Sequence, residues 1–298
     1  MVGAFFAFLT ALAWAGSSTF MKLIVAKIDI LSLNSIRLWV GSAILLIFIP
    51  LTGRIDQLIQ TPFAPFLYVL ASGFIAMVMG DSLYIKALSL LDASIVFPLA
   101  QGSFPLFSVL VAVFFLGESF TWINAVGAVL VVSGIYPIAV AGKRSETSTK
   151  EKSFEGKGVI FALGASIAWT CAVVTLKIGV LEMDPFVAAG IRIPASAIVI
   201  TLLALSRLKQ GTLRLREYGV KGIGFAGAAG ILTYGVAAVG YVKAFQLIGA
   251  AKTVLLTTTA PVFLLIFSVF ILKERPTRST IAGIFVCVVG ICFVLHKN

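Results

Sequence analysis

Gly3-Ala-Phe-Phe-Ala-Phe-Leu-Thr-Ala-Leu-Ala-Trp14-Ala-Gly-Ser-Ser-Thr-Phe-Met-Lys22 returns 155 residues later as Gly158-Val-Ile-Phe-Ala-Leu-Gly-Ala-Ser-Ile-Ala-Trp169-Thr-Cys-Ala-Val-Val-Thr-Leu-Lys177, with glycine, tryptophan and lysine in the same places. At that offset Asp29 falls on Asp184 and Ile36-Arg37 on Ile191-Arg192. Farther on, Tyr84-Ile-Lys86-Ala87 falls on Tyr241-Val-Lys243-Ala244 at 157, and Pro105, Glu118, Gly127 and Gly134 fall on Pro261, Glu274, Gly283 and Gly290 at 156. Residues 3–141 and 158–296 are thus two copies of one unit, joined by the polar linker 142–157. Each copy holds five apolar runs, an odd number, so the second enters the membrane upside down. Inverted pairs of this kind are a recurring plan of secondary transporters, which bind substrate between the repeats.

The 298 residues are 60% hydrophobic and 12% charged, with a mean hydropathy of +1.09. That composition excludes an ordinary soluble domain. Ten apolar runs lie near 3–22, 32–52, 64–89, 94–116, 120–141, 156–177, 186–205, 219–245, 250–272 and 277–295. Most approach the roughly 20 residues that carry a helix across about 30 Å of hydrocarbon. They are continuously apolar rather than alternating, which predicts helices and not a barrel. The expected fold is all-α and integral to the membrane: ten transmembrane helices as two inverted five-helix repeats.

The first run is not read as a signal peptide, because no basic stretch precedes it and the same segment recurs at 156–177. Cys171, Cys287 and Cys292 all lie in apolar runs and suggest neither a disulfide framework nor a zinc site; no metal or cofactor is expected. The net charge of +11 sits largely in loops, where it orients helices rather than binding nucleic acid. Lys143, Arg144, Lys150, Lys152, Lys157, Arg207, Lys209, Arg214, Arg216, Lys221, Lys273, Arg275 and Arg278 follow odd-numbered runs, and the positive-inside rule then puts both termini outside.

Asp81 is the one of twelve carboxylates placed well inside an apolar run. A charge at mid-membrane costs about 2.5–3.5 kcal/mol on insertion scales, so it faces a partner or a wet space. Its repeat mate is Ala238. The scaffold therefore does not require it, and substrate or proton binding stands beside a structural pair with Lys86 or Lys22. Lys22 with Lys177 and Lys86 with Lys243 are matched pairs near helix ends, which either snorkel or offer positive charge to a carboxylate or phosphate. Trp14 and Trp169 precede their lysines by eight residues, some two turns, and stand as pocket wall or as packing. Pro98, Gln101, Gly102, Ser103 and Pro105 interrupt the fourth run, as Thr257, Thr258, Thr259 and Pro261 do the ninth; broken helices at matched places point to a transporter's site. The candidate substrate-binding set is Trp14, Lys22, Asp81, Tyr84, Gln101, Trp169, Lys177, Tyr241 and Thr257. Gly222-Ile-Gly224-Phe-Ala-Gly227 fits a dinucleotide pattern only by letter, since no strand precedes it and no acid follows at the required distance; small residues for helix packing explain it better.

Ala13-Trp14-Ala-Gly16 followed by Lys22, Arg37 opening the second run, Tyr84-Ile-Lys-Ala-Leu88, Pro105, Leu116-Gly-Glu118 and the Gly127 to Gly134 pair resemble EamA-type proteins of the drug/metabolite transporter superfamily, over nearly the whole chain. The resemblance implies a ten-helix transporter with a central cavity between the repeats and both termini cytoplasmic, against the charge tally. It also implies cargo among amino acids, other small metabolites or drugs. The expected function is a secondary transporter of the cell (plasma) membrane. It would export a small organic metabolite such as an amino acid by alternating access, coupled to protons or running by facilitated diffusion or exchange, with no nucleic acid partner. A flippase for a lipid-linked substrate is the alternative. An intramembrane enzyme is a weaker one, because aspartyl chemistry needs a second membrane carboxylate beside Asp81 and metal chemistry needs His or Cys clusters. No Walker motif is present.

Because five crossings separate them, reporters fused after Ala141 and after Lys297 should lie on opposite sides of the membrane. Finding both on one side rules out the inverted repeat.

Overall fold

The computed structural model describes residues 1–22, 24, 30–90, 93–117, 121–141, 152–181, 183–208, 219–260, 262–263, 266–267 and 278–295. Among these every regular element is a helix. The first half contains α1 (Val2–Lys22), α2 (Ile30–Leu51), the short α3 (Ile55–Ile59), α4 (Phe63–Gly73), a π-helical stretch (Phe74–Gly80), α5 (Asp81–Leu90), α6 (Ala93–Leu116) and α7 (Trp122–Ala141). The second contains α8 (Lys152–Gly179), α9 (Pro185–Leu208), α10 (Gly219–Gly230), a π-helical stretch (Ile231–Ala237), α11 (Ala238–Thr257) and α12 (Arg278–Leu295).

Five stretches are long and apolar enough to span a bilayer: Leu31–Leu51, Phe63–Tyr84, Gly156–Gly179, Pro185–Ser206 and Gly219–Thr257. Shorter apolar helices cover Val2–Ser17, Ser103–Phe115, Trp122–Gly134 and Ile281–Gly290. The last of the long stretches holds one crossing and the start of the next. Gly249, at φ 82° and ψ 170°, breaks α11 in a conformation open almost only to glycine, and the ninth run begins beyond it.

Packing follows the repeat. α1 lies along α10, the second π stretch and α11, while α8 lies along α4, the first π stretch and α5, which is the same contact with the halves exchanged. α2 against α9, and α7 against α12, are each their own mates. Within the first of these pairs Trp39 Nε1 donates to Thr201 Oγ1 at 2.9 Å, Phe48 stacks on Phe186 at 5.6 Å, and Arg54 pairs with Asp184 at 3.1 Å. Rising numbers on α2 meet falling numbers on α9. Equivalent helices thus run antiparallel, which is what inversion requires and a direct repeat forbids.

Lipid tails are as apolar as leucine, so burying large side chains gains little here and close backbone approach has to hold helices together. α1 accordingly turns Ala4, Ala7, Ala11 and Ala15 inward and Phe5 and Leu12 outward. A Cβ on Gly230 would lie 2.6 Å from the carbonyl oxygen of Arg37, and one on Gly73 would lie 2.9 Å from that of Arg192. These two contacts are repeat mates, and each glycine immediately precedes a π stretch. Of Gly224, Gly227 and Gly230 it is therefore Gly230 that makes a close contact, whereas Gly224 faces open space.

The fourth run departs from expectation. α6 continues unbroken from Ala93 to Leu116 with Pro105 buried inside it. One proline deletes one ladder bond, which neighbouring helices in a membrane can compensate. The matched departures from α geometry lie instead in the third and eighth runs, where the N–H of Asp81 reaches the Ala76 carbonyl and that of Ala238 the Thr233 carbonyl. Pro261 lies outside the described residues.

On α12, a Cβ at Gly290 would meet Val131 N at 2.6 Å and Gly127 O at 2.8 Å, both backbone atoms. Gly290→Val should cost about 1–3 kcal/mol by forcing α7 and α12 apart, read as a lower melting temperature in detergent, while Gly224→Ala should leave melting unchanged. Equal behaviour of the two variants would contradict this packing.

Candidate functional site

Two aromatic pairs stand at the centre. Trp14 on α1 meets Tyr241 on α11 with ring centroids 5.3 Å apart, and Trp169 on α8 meets Tyr84 on α5 at 5.5 Å. The repeat exchanges one pair for the other, and each takes one ring from each half. Both tryptophans pack against a single apolar cluster that includes Phe104, Val173, Tyr241 and Phe245. Phe104 also sets its edge against Trp169 at 5.9 Å.

Asp81 is the first residue after the π stretch, and its Oδ1 accepts the Trp169 indole N–H at 3.0 Å. Gly80 makes room for that indole, since a Cβ there would lie 2.6 Å from it. The partner of Asp81 is thus a tryptophan of the other half. Ala238, its mate, offers Trp14 no such acceptor.

The other candidates divide. Lys177 Nζ donates to the Phe245 carbonyl at 3.0 Å, which ties α8 to α11 at the edge of the cluster. Thr257 is buried and its hydroxyl donates to the Val254 carbonyl of its own helix at 2.9 Å. The side chains of Lys22 and Gln101 lie outside the described residues. The structure therefore brings together Trp14, Asp81, Tyr84, Trp169 and Tyr241, with Lys177 beside them.

Two charged residues join the centre that the candidate set lacks. Arg37 Nη2 donates to Thr233 Oγ1 at 3.1 Å, Thr233 to Ser17 Oγ at 2.7 Å, and Ser17 to the Ala229 carbonyl at 3.1 Å. The same guanidinium lies over the Tyr234 ring, 5.2 Å from its centroid, and within coulombic reach of Asp81. Tyr234 in turn donates to Asn34 Oδ1 at 3.1 Å. Arg192, the mate of Arg37, is only 6% exposed and sits within coulombic reach of Tyr234 and Tyr241. The signal was available: the alignment sets Arg37 on Arg192, and both fall inside apolar runs.

One end of the bundle is tied by polar contacts. Arg54 pairs with Asp184 and lies over Phe186 at 4.9 Å. Asp184 Oδ1 also accepts the N–H of Phe186 at 2.8 Å, capping α9. Gln246 Nε2 donates to the carbonyls of Val180 at 2.9 Å and Met183 at 2.6 Å.

Among the described residues no three His, Cys, Asp or Glu side chains gather as a metal site. Aromatic rings, two guanidiniums and one carboxylate thus come together where the two halves meet.

Comparison with known proteins agrees in kind. The chain is 26% identical over 248 residues to an uncharacterized transporter of Archaeoglobus fulgidus, covering 83% of this chain and 82% of that protein. It is 24% identical over 186 residues to the uncharacterized transporter YvbV of Bacillus subtilis, covering 61% of this chain and 57% of that one. One crystal structure, 18% identical, superposes over 98% of this chain and 96% of its own with a TM-score of 0.79, a likeness of fold. The EamA-like transporter family matches twice, over residues 1–140 and over 156–296. With that double match laid on a helical bundle whose contacts repeat across its two halves, the chain belongs to the EamA-like transporter family, a transporter and not an enzyme.

Proposed function

We propose that the protein is a secondary transporter that exports a small organic metabolite across the plasma membrane by alternating access around the central aromatic site. The observation that carries this reading is the pair of exchanged contacts, Trp14 with Tyr241 and Trp169 with Tyr84. Each contact bridges the halves, so a tilt of one half against the other loosens one pair as it tightens the other. The substrate lies between the two tryptophans, and the Arg54–Asp184 pair marks one of the two ends at which the path closes.

Asp81 supplies the coupling. It is the one charged group of the centre without a charged repeat mate, and its hydrogen bond to Trp169 spans the halves. Gaining or losing a proton there changes what the carboxyl can accept and donate, and so biases which pair of rings is closed.

Proteoliposomes loaded with a panel of amino acids and nucleobases test both parts. Trp14→Ala and Trp169→Ala should each lower transport roughly tenfold or more through loss of the ring contacts. Asp81→Asn should abolish accumulation driven by a proton gradient while substrate exchange continues. Full proton-driven accumulation by Asp81→Asn removes it as the carrier, and unaltered transport by both tryptophan variants removes the site.

A further inference from the structure

Arg37 and Arg192 are symmetry mates in unequal surroundings. Arg37 is held by Thr233 and by the ring of Tyr234. The residues at those places opposite Arg192 are Ala76 and Met77, which can hold nothing. Arg192 Nε, like Arg37 Nε, is buried without an acceptor among the described residues, and Arg37 differs in having Thr233 on its Nη2. The carboxylates whose side chains are described are Asp56, Asp81 and Asp184, of which Asp81 bonds Trp169 and Asp184 pairs with Arg54. Nor can the backbone of Arg192 draw back, because its carbonyl lies against Gly73 and accepts the Ser196 hydroxyl at 2.7 Å.

A guanidinium buried in a membrane protein without a countercharge is destabilising by itself. Its surroundings say what completes it. Ile191, which precedes Arg192, shares one apolar cluster with Tyr241, and Tyr241 packs its ring on Trp14, so this region offers an apolar, aromatic wall. Among the described side chains two guanidiniums, Arg37 and Arg192, accompany one carboxylate, Asp81, at the centre, which leaves positive charge in excess. We infer that Arg192 is the anchor for an oxyanion, and that the transported solute is a small organic anion whose apolar body lies against Trp14 and Tyr241. The inference rests on the central site proposed above and names its substrate class. A carboxylate and a phosphate monoester share this chemistry.

The test uses the full chain purified in detergent, with binding read from tryptophan fluorescence and thermal melting. The probes are phenylacetate, phenyl phosphate, phenylacetamide and phenethylamine, which keep one ring and change the head group. At least one of the two anions should bind about tenfold or more tighter than the amide, as a charge-assisted bond to guanidinium predicts, and the cation should not bind. Which anion wins identifies the oxyanion. Arg192→Gln should erase the preference and, without any anion, melt at a higher temperature than the parent, since it removes a buried charge. Arg192→Lys should retain a weakened preference, which guards against loss of fold in the glutamine variant. Anions binding no tighter than the amide, no probe binding, or a preference that survives Arg192→Gln would each overturn the proposal. A lower melting temperature for Arg192→Gln would overturn it as well, by making the arginine structural. Failure here with transport still cut by Trp14→Ala and Trp169→Ala rejects only the substrate class, whereas loss of that tryptophan effect rejects the site itself.

Discussion

Everything at the centre hangs on the two places where helix backbones touch, Gly73 on Arg192 and Gly230 on Arg37. In hydrocarbon, helices associate through close approach rather than through burial of oily side chains. These contacts set α4 on α9 and α10 on α2 at equivalent points of the two halves. The residue pressed against each glycine is an arginine, so the contact that builds the bundle also fixes a charge inside it. Directly after each glycine the helix widens to π geometry. An added residue rotates the downstream helix by about 100° relative to an uninterrupted α-helix. Asp81 and Tyr84 lie just beyond the first π stretch and Tyr241 just beyond the second, and these are the residues found at the centre.

The scaffold is symmetric and the chemistry is not. The proposed exchange of states between two halves calls for matched contacts, and the ring pairs and glycine seams are matched. The copies differ at Asp81 against Ala238, Thr233 against Ala76, and Tyr234 against Met77. Each difference places a polar group on one side of the site only. Both arginines keep an Nε without an acceptor among the described residues, but Arg37 is engaged through its Nη2 by Thr233 and lies over the Tyr234 ring.

The repeat, its inversion and the tryptophans with Asp81 were legible because they are matters of alignment and of charge in apolar runs. What the Thr257 hydroxyl bonds was not legible: in an apolar helix it donates to a carbonyl three residues back, and the letter does not reveal that. The π stretches were hidden, since Phe-Ile-Ala-Met-Val-Met-Gly80 reads as plain apolar helix and nothing in its composition marks a changed hydrogen-bond register. Prolines drew attention to α6 instead. Arg192 was visible as a landmark of the alignment, but its lack of a partner depends on residues from other helices and can be seen only in three dimensions.

Alternation between the halves is the central claim, and a distance measured in lipid tests it most directly. Gln57 and Leu181 are exposed at the end of the bundle where Arg54 meets Asp184, so spin labels at these two positions read the opening of that end by pulsed electron resonance. The account predicts two distances, the shorter with the ion pair closed, whose populations shift when transport is driven by a proton gradient. A single distance that stays the same while the protein transports would contradict it.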